Sequence, residues 1–307
     1  MKERIRLGTR GSKLALAQAK LIADMLRALD GGPDVEIVPL KTAGDSPAPS
    51  QPSSLDRKAA FTGEIEAQLL AGSIDLAVHS MKDLPATLDP ELMVSATPKR
   101  GDPRDVLVSR LGLRLKTMQA GARIGTSSVR RRAQLLALRP GLNVVELHGN
   151  LDTRVKKMES QGLDGIVLAA AGLHRAGLEG VITEFFEAEQ MVPAVCQGTL
   201  AVETRRQDAD TALLAKAIDD PETHAASLCE RAFAGELGGD CNVPLGALAR
   251  LEERTLEVVG MIASPDGRRV LRAEERGPAS RPEELGRKLG RKLAEAGGRD
   301  ILRELKP

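Results

Sequence analysis

The sequence predicts an α/β fold in which two similar sheet-and-helix halves precede a smaller α+β domain. Short β-like runs alternate with helical patterns through the first two thirds of the 307 residues. The order strand, Gly-Thr, hydroxyl residue, helix occurs twice, in RIRLGTRGSKLALAQ and in ARIGTSSVRRRAQLL, and GSIDLAVHS is matched later by QGLDGIVLA. Repeats in the same order favour a duplicated α/β unit. The last third instead alternates like a β-meander.

The first half contains four strand patterns and two helical ones. The strands are RIRLGT, VEIVPL, IDLAVHS and MVSATP. SKLALAQAKLIADMLRAL predicts an amphipathic helix with Ser12 as its N-cap, and AFTGEIEAQLLAG predicts a helix that Gly72 closes. Between Leu40 and Phe61 lies KTAGDSPAPSQPSSLDRKAA, which has almost no apolar residues. This stretch predicts a mobile lid, with inert disorder as the alternative.

The scheme restarts after GDPRDV, and the chain changes character in its last third. HAASLCERAFAGEL predicts a helix, and a turn at Pro265-Asp266-Gly267 interrupts the alternating stretch that follows. A basic helical pattern, RPEELGRKLGRKLAEAG, closes the sequence. We expect these elements to form the small α+β domain.

Composition limits the classes of partner. With 44 Lys and Arg against 43 Asp and Glu, the net charge of +1 gives no basic excess for binding a polyanion. The chain has no Trp or Tyr and four Phe, so stacking platforms for nucleic-acid bases are largely excluded. The sequence shows neither a secretory signal nor an apolar run of membrane-spanning length. We therefore expect a cytoplasmic protein with neither nucleic-acid nor membrane partners.

Cysteine, histidine and glycine patterns exclude several kinds of site. Three cysteines without CxxC spacing predict neither a disulfide framework nor a structural zinc site in a cytosolic protein. The four histidines show no close ligand spacing, so no metal is expected. The absence of GxGxxG and GxxxxGKS/T patterns removes the usual reasons to expect a dinucleotide or ATP.

Polar and basic side chains recur where predicted strands end and helices begin, which is the edge at which open α/β sheets bind ligands. Hydroxyls, guanidinium groups and helix N-termini all bind anions. Each group alone is more typical of a solvated surface, or of a loop ion pair for Lys82 with Asp83, but their shared position predicts an anion-binding cleft. The groups are Arg10, Ser12, Lys82, Asp83, Thr126, Ser127, Ser128, Arg130, Arg131, His148, Asn150, Arg154 and Arg175.

GELGGDCNVPLGA places Cys241 in a sharply turning loop. A buried, inert thiol is the usual state of a free cysteine. Two preceding glycines keep this sulfur accessible, which predicts a reactive or covalently modified thiol. Cys229, in a helical setting of Ala and Leu, is expected to be inert.

Nine segments together resemble the porphobilinogen deaminase family, also called hydroxymethylbilane synthases. They are GTRGSKLALAQ, FTGEIEAQLL, DLAVHSMKDLP, GDPRDVLVS, GTSSVRRRAQL, GNLDTR, AGLHRAG, PAVCQGTLAVE and ERAFAGELGGDCNVPLG, in the family's order. The resemblance implies two domains similar to type II periplasmic binding proteins, hinged near 99–103 and 197–201. Domain 1 would comprise 1–99 with 200–217, domain 2 would comprise 100–199, and domain 3 would comprise 218–307.

The resemblance also implies a reaction. The family, transferases of tetrapyrrole and haem biosynthesis, joins four porphobilinogen units head to tail with release of ammonia, and water then frees hydroxymethylbilane. Growth starts on a dipyrromethane cofactor, held by a thioether at the position of Cys241, because a thiolate attacks the azafulvene left when a pyrrole expels its amine. Asp83 matches the catalytic aspartate, which stabilises the cationic azafulvene and assists proton movement. A monomer is the family expectation.

The other candidate residues are implied to hold carboxylates and pyrrole rings, because porphobilinogen carries acetate and propionate side chains. Of the three consecutive arginines, two would face carboxylates, while Arg132 would be solvated. The cofactor is assigned to Lys82, Ser128, Arg130 and Arg131. The substrate is assigned to Arg10, Ser12, Phe61, Thr126, Ser127, Asn150, Arg154 and Arg175, with Lys58 and His148 as further counterparts.

In three places the sequence departs from the family pattern. His148 replaces an arginine that is common before Gly-Asn, and Cys196 replaces the glycine of PAVGQG. The predicted lid lacks the family's Gly-Gly-Lys-Gly run. These departures bear on substrate affinity and lid motion, since none of them touches Cys241 or Asp83.

Two other classes of protein explain part of the pattern. A non-catalytic anion-binding protein of the same two-domain type would have the cleft and the arginines, but it requires neither Cys241 in its glycine loop nor Asp83 beside Lys82. An acyl-transfer enzyme using Cys241 would require a histidine partner, which its motif lacks.

Overall fold

The chain forms two compact units. The structure, a computed structural model, describes residues 2–41, 54–85, 87–238 and 243–305, with the backbone alone over 54–61. Unit 1 comprises Met1–Gly101 and Thr199–His224, and unit 2 comprises Asp102–Gly198 and Ala225–Pro307.

Helices and strands alternate through most of the chain. The strands are β1 (Arg4–Arg10), β2 (Asp34–Leu40), β3 (Leu76–Ser80), β4 (Leu92–Ala96), β5 (Asp105–Ser109), β6 (Arg123–Gly125), β7 (Asn143–Val145), β8 (Gly165–Ala169), β9 (Glu184–Phe186), β10 (Leu200–Arg205), β11 (Leu245–Glu252), β12 (Thr255–Ala263) and β13 (Val270–Pro278). The helices are α1 (Lys13–Arg27), α2 (Ser54–Leu70), α3 (Val129–Leu138), α4 (Leu151–Ser160), α5 (Ala170–Arg175), α6 (Ala209–Lys216), α7 (Pro221–Glu236), α8 (Pro282–Leu293) and α9 (Arg299–Glu304).

Unit 1 contains a five-stranded sheet in the order β2-β1-β3-β10-β4. Strand β1 is parallel to both of its neighbours, whereas β10 is antiparallel to β3 and β4. Helix α1 begins as predicted, since the Ser12 hydroxyl oxygen accepts a hydrogen bond from the Ala15 amide at 3.3 Å. The apolar face of this helix packs on the sheet, and Leu7, Ile22 and Leu26 are fully buried in that core.

The sheet of unit 2 repeats this design, which confirms the predicted duplication. Its order is β7-β6-β8-β5-β9, with β6 parallel to β7 and β8 and with β5 antiparallel to β8 and β9. The aspartate just before β3 and the aspartate just before β8 make the same hydrogen bond to the neighbouring parallel strand. Asp75 accepts a hydrogen bond from the Arg6 amide at 2.8 Å, and Asp164 accepts one from the Arg123 amide at 2.8 Å.

A smaller antiparallel sheet, β11-β12-β13, belongs to the same compact unit as the second sheet. The predicted turn at Pro265-Asp266-Gly267 joins β12 to β13, and Gly267 has a φ of +71°. A Cβ atom on Gly267 would lie 2.3 Å from the Ala133 carbonyl oxygen of α3. Glycine is therefore required where this turn approaches α3, and it permits the contact between the third sheet and the arginine-bearing helix.

The predicted fold class is confirmed, with two sheet-and-helix parts and a small C-terminal α+β part. One boundary was wrong: the apolar-poor stretch predicted as a lid up to residue 60 is helical from Ser54 onward. Its alanines, Lys58 and Arg57 are good helix formers. Their intrinsic propensity favours a helix there even though the sequence has no apolar face to predict one. Residues 42–53 of the predicted lid lie outside the described residues.

Candidate active site

The polar residues of unit 1 follow two neighbouring parallel strands. Strand β1 ends at Arg10, and β3 pairs with it in parallel and ends at Ser80. A short 3₁₀ turn, Met81–Asp83, then carries Lys82 and Asp83, and both side chains are partly exposed. Because the carboxyl ends of parallel neighbours meet at one edge of a sheet, these residues and the Ser12 N-cap belong to the same edge.

Hydrogen bonds fix the turn that carries Asp83. The Met81 amide donates to the Thr199 carbonyl at 3.0 Å, and the Leu84 amide donates to the Met81 carbonyl at 3.2 Å. On the other side, Gln18 of α1 donates from its side-chain amide to the Ser80 hydroxyl at 3.0 Å. The backbone of the turn is thus held from the segment before β10, and the side chain of Ser80, which precedes the turn, is held from α1.

His79, the residue before Ser80 in β3, is not part of this exposed edge. Its side chain is buried, and its Nε2 lies 3.2 Å from Oε2 of the fully buried Glu203. Burial raises the pKa of the nearby Glu66 carboxyl in α2. Both faces of a strand in a covered sheet are interior, which is why a histidine here faces the core.

The arginine-rich segment begins helix α3, as predicted. Ser128 is the N-cap: its hydroxyl oxygen accepts from the Arg131 amide at 3.4 Å, and its own amide donates to Oγ1 of Thr126 at 3.2 Å. The buried Thr126 also donates its amide to the Val145 carbonyl at 3.0 Å. Local bonds between hydroxyls and the backbone are typical of helix N-termini, and they place Ser127 and the arginines around the first turn.

Arg130 and Arg131 are buried and share one carboxylate, that of Asp105. Nη1 of Arg130 lies 2.6 Å from Oδ2, whereas Nε and Nη2 of Arg131 lie 2.9 and 2.8 Å from Oδ1. The guanidinium groups are 4% and 6% exposed, and the carboxylate is fully buried. Further donors reach the Val192 and Val167 carbonyls at 2.7 and 2.9 Å. Two guanidinium groups against one carboxylate leave an excess of one positive charge.

Arg130, Asp105 and Arg131 form a buried triad, and the contacts between them determine which of these groups are charged. Burial alone would raise the pKa of Asp105, but the charges of Arg130 and Arg131 outweigh burial and hold this pKa well below its ordinary value. Burial lowers the pKa of Arg131, and the charge of Asp105 opposes that change. Asp105 is therefore ionised at neutral pH, and the excess positive charge favours a further anion beside the arginines.

Gln197 connects the Asp105 carboxylate to the backbone near two chain crossings. Its side-chain amide donates to Oδ1 of Asp105 at 3.0 Å and to the Pro103 carbonyl at 2.7 Å. The chain enters unit 2 after Gly101 and leaves it after Gly198. Neither Asp105 nor Gln197 was predicted from the sequence as a site residue. The available signal was an aspartate opening the apolar strand DVLVS, because a buried charge requires a partner.

Arg175 ends helix α5 in a half-buried position. Its Nη2 donates to the Gly198 carbonyl at 2.6 Å, and burial lowers the pKa of its guanidinium to about 10. Within the described ranges, no carboxylate forms an ion pair with it. A partly desolvated cation of this kind favours binding of an external anion.

His148, Asn150 and Arg154 surround the N-terminus of α4. Asn150 occupies the N-cap position, and Nε of Arg154 donates to the Gly149 carbonyl at 2.7 Å. Nε2 of His148 lies 3.3 Å from Oε2 of Glu146, and both side chains are exposed. These residues form an exposed polar cluster, and their contacts with a ligand stay a prediction. Arg132 is exposed and donates to the Val144 carbonyl at 2.7 Å.

Three predicted site residues have no described side chain. Cys241 lies outside the described residues, and Lys58 and Phe61 lie in the part of α2 where only the backbone is described. The residues that flank the Cys241 loop, Gly238 and Val243, belong to unit 2, as do the buried arginines. The roles of these three residues stay predictions.

The other two cysteines are interior. Cys229 is fully buried, and burial, followed by the charge of Glu230, raises the pKa of its thiol to about 12, which is consistent with the predicted inert thiol. Cys196 is also buried. In the part of the chain that the structure covers, no helix is long and apolar enough to cross a membrane, and no cluster of three His, Cys, Asp or Glu side chains could hold a metal ion.

Comparison with known proteins identifies the family. A family model described as porphobilinogen deaminase, dipyromethane cofactor binding domain, matches residues 5–213, and its C-terminal domain model matches 224–295. Porphobilinogen deaminase of Roseiflexus castenholzii is 47% identical over 302 residues, covering 98% of this chain and 99% of that protein. Its counterpart in Syntrophomonas wolfei is 46% identical over 300 residues, covering 98% of each chain. The Escherichia coli periplasmic aliphatic sulphonate binding protein SsuA aligns at 14% identity over 76% of this chain and 70% of that one, with a TM-score of 0.42. The sequence matches over nearly the full length establish that this chain belongs to the porphobilinogen deaminase family.

Proposed function

We propose that this chain condenses four porphobilinogen units head to tail, releasing ammonia at each step, to give hydroxymethylbilane for tetrapyrrole biosynthesis. Its family makes it a transferase with a dipyrromethane cofactor. The observation that carries the proposal is the excess positive charge of the buried triad formed by Arg130, Asp105 and Arg131. Porphobilinogen and its oligomers are polycarboxylates, so such a site is complementary to them.

The donor set of unit 2 fits a dipyrromethane, because each of its rings bears carboxylates. The triad offers one uncompensated positive charge, and the hydroxyls at the start of α3 offer neutral donors. We assign the cofactor carboxylates to Lys82, Ser128, Arg130 and Arg131, and the thioether to Cys241. When bound, the dipyrromethane supplies the pyrrole carbon at which chain growth begins.

Asp83 is assigned the proton chemistry. Its carboxylate would accept a hydrogen bond from the pyrrole N–H of the arriving substrate and so stabilise the positive charge that develops as ammonia leaves. It would then hold the proton released when the new carbon–carbon bond forms. The backbone hydrogen bonds of the Met81–Asp83 turn support this role, since they fix the position of the backbone that carries Asp83.

The substrate carboxylates and ring are assigned to groups at strand ends and helix starts. The half-buried Arg175 supports this assignment most directly, because burial of its charge favours an anionic partner. Lys58 and His148 are assigned as further contacts. The principal residues are Arg10, Ser12, Phe61, Thr126, Ser127, Asn150, Arg154 and Arg175.

We also propose three domains: 1–99 with 200–217, 100–199, and 218–307. The division between the compact units at Gly101 and Gly198 supports the first two boundaries. A cytoplasmic monomer without nucleic-acid or membrane partners completes the proposal. The near-zero net charge and the scarcity of aromatic residues support the absence of nucleic-acid partners.

Intact-mass measurement tests the function. The purified chain should carry an adduct of two pyrrole units and should acquire further units on incubation with porphobilinogen. Cys241→Ser should lose the adduct, whereas Cys229→Ala, which changes a buried thiol, should keep it. Asp83→Ala should bind porphobilinogen but release almost no ammonia. A wild-type chain that binds porphobilinogen without adduct or ammonia release would instead be a non-catalytic receptor.

A further inference from the structure

Asp105 lies at the centre of the arginine site, yet the reaction assigns it no role. Its carboxylate is fully buried, and among the described residues it accepts hydrogen bonds from side chains alone: Arg130 on Oδ2, and Arg131 with Gln197 on Oδ1. Because both oxygens are engaged, the carboxylate has one orientation. A fixed carboxylate in turn fixes the guanidinium groups that it contacts.

The contacts of Arg130 determine which of its edges is available to a ligand. Its Nη1 donates both to Asp105, at 2.6 Å, and to the Val192 carbonyl, at 2.7 Å. These two bonds use both Nη1 hydrogens. Nε and Nη2 of Arg130 have no hydrogen-bond partner in the residues the structure describes. That edge is a two-donor fork, which matches the two oxygens of one carboxylate.

The charge of Asp105 sets how much negative charge the site accepts. With Asp105 ionised, the triad has one excess positive charge, which a single carboxylate neutralises. Without the Asp105 charge, two buried guanidinium groups would be uncompensated. Such a site would favour a dianion or a second anion over one carboxylate.

We propose that Asp105 is a positioning residue that presents the Nε–Nη2 edge of Arg130 to one carboxylate of the cofactor and restricts the arginine pair to that single negative charge. The inference rests on the proposed function, because it takes the cofactor as the ligand. Gln197 supports the same geometry, since its bonds to Asp105 and to the Pro103 carbonyl prevent the carboxylate from rotating.

Sulfate binding to the adduct-free chain tests the charge part of the proposal. In a Cys241→Ser background, thermal shift should show sulfate binding about tenfold more tightly to Asp105→Asn than to the parent, because the site gains positive charge. Asp102→Asn is the matched control: Asp102 lies in the same segment but pairs with Arg104, so its loss should leave sulfate affinity unchanged. A merely structural role would weaken sulfate binding or leave it constant, and either result overturns the proposal.

Asp105→Glu tests whether the Asp105 carboxylate orients Arg130. This variant also keeps the proposal testable if Asp105→Asn does not fold. Glutamate keeps the charge but moves the carboxylate by one methylene. With Cys241 intact, we expect roughly tenfold slower adduct formation from porphobilinogen by intact mass. Sulfate affinity, measured in the Cys241→Ser background, should stay at the parent value. Adduct formation at the wild-type rate would refute positioning by Asp105. If the wild-type chain itself never acquires an adduct, the proposed function is wrong. The sulfate comparison still tests whether Asp105 limits the negative charge that the arginines bind.

Discussion

Cys196 adopts a backbone conformation that residues with a side chain seldom adopt. Its φ is +57°, in the left-handed region, and its thiol is buried. Neighbouring contacts hold it there, because its amide donates to Oε2 of Glu230 at 2.5 Å and its Sγ donates to the Ser227 carbonyl at 3.7 Å. The family resemblance places a glycine at this position, and the observed φ supplies the physical reason for that glycine.

Two substitutions of Cys196 isolate this backbone effect, since both remove the sulfur. Cys196→Gly should have a free energy of unfolding about 1 kcal/mol higher than Cys196→Ala, because only glycine adopts the left-handed region without cost. Urea denaturation measures the difference. At the helical position Cys229 the order should reverse, with alanine about 1 kcal/mol more stable than glycine. Equal stabilities for the Cys196 pair would show that the backbone there is unstrained.

The arginine site shows which contacts a sequence pattern can and cannot predict. The sequence located the arginines at a helix start, because Ser128 and the hydroxyls before it are local signals. It did not reveal that Asp105 is their carboxylate partner, because the pair lies 25 residues apart and meets only when β5 joins the second sheet. Nor did it reveal that His79 lies beside the buried Glu203, which is remote in sequence.

At the scale of elements, the patterns that sequence captures are local and periodic. The β1–α1 and β6–α3 pairs and the β12–β13 turn were predicted from strand alternation, N-caps and glycine, and each is present. The antiparallel strand within each five-stranded sheet was not predicted. In unit 1 it is β10, which pairs with β3 across more than a hundred residues, and in unit 2 it is β5. Such pairing leaves no local pattern in either partner.

Strand β11 packs closely against the segment that follows β9 and against Arg130. A Cβ atom on Gly246 would lie 2.7 and 2.9 Å from the Pro193 and Val192 carbonyl oxygens and 3.2 Å from Cδ of Arg130. Gly246→Ala should therefore lower the free energy of unfolding by about 1–3 kcal/mol, and it should also slow adduct formation, because Arg130 must shift. Gly235→Ala in α7, where a Cβ meets nothing within 4 Å, should instead stabilise by up to about 1 kcal/mol. Urea denaturation and intact mass measure both effects, and a neutral Gly246→Ala would contradict the close approach.

Across the whole molecule, positive and negative charges nearly balance, and several partly or fully buried carboxylates lie beside Lys, Arg or His side chains that stabilise their ionised form. Folding lowers the pKa of Asp75, Asp102, Asp105, Asp208 and Asp219. Each of these groups binds its proton more weakly in the folded than in the unfolded chain. Their contributions to stability are complete above the unfolded pKa near 4 and are lost as the pH falls through the folded values. We therefore expect the protein to tolerate neutral and mildly acidic pH and to lose stability steeply below about pH 4.

Asp208 allows this expectation to be tested at one site. Burial would raise its pKa, but hydrogen bonds from Lys2, Thr211 and Arg205 outweigh burial and lower the pKa to about 2. Its side chain is 13% exposed, and the Lys2 and Arg205 nitrogens both lie 2.7 Å from Oδ2. Asp208→Asn retains an oxygen to cap α6 but removes the charge, so the free energy of unfolding at pH 7 should fall by about 1–2 kcal/mol, the shift being discounted for solvent screening.

The pH dependence of this loss in stability shows whether it comes from the missing charge of Asp208 or from altered packing around the asparagine. As the pH falls from about 4 to 2, Asp208 in the wild-type chain becomes protonated, so the difference between wild type and Asp208→Asn should shrink toward zero. Urea denaturation at pH 7, 5 and 3 would follow it. Asp24→Asn, which removes an exposed carboxylate paired with Arg27, should change stability by less than about 0.5 kcal/mol at each pH. A loss in Asp208→Asn that stays constant from pH 7 to pH 3 would mean that asparagine disturbs the packing around α6. The ion pairs of Asp208 would then contribute nothing to the stability of the folded chain.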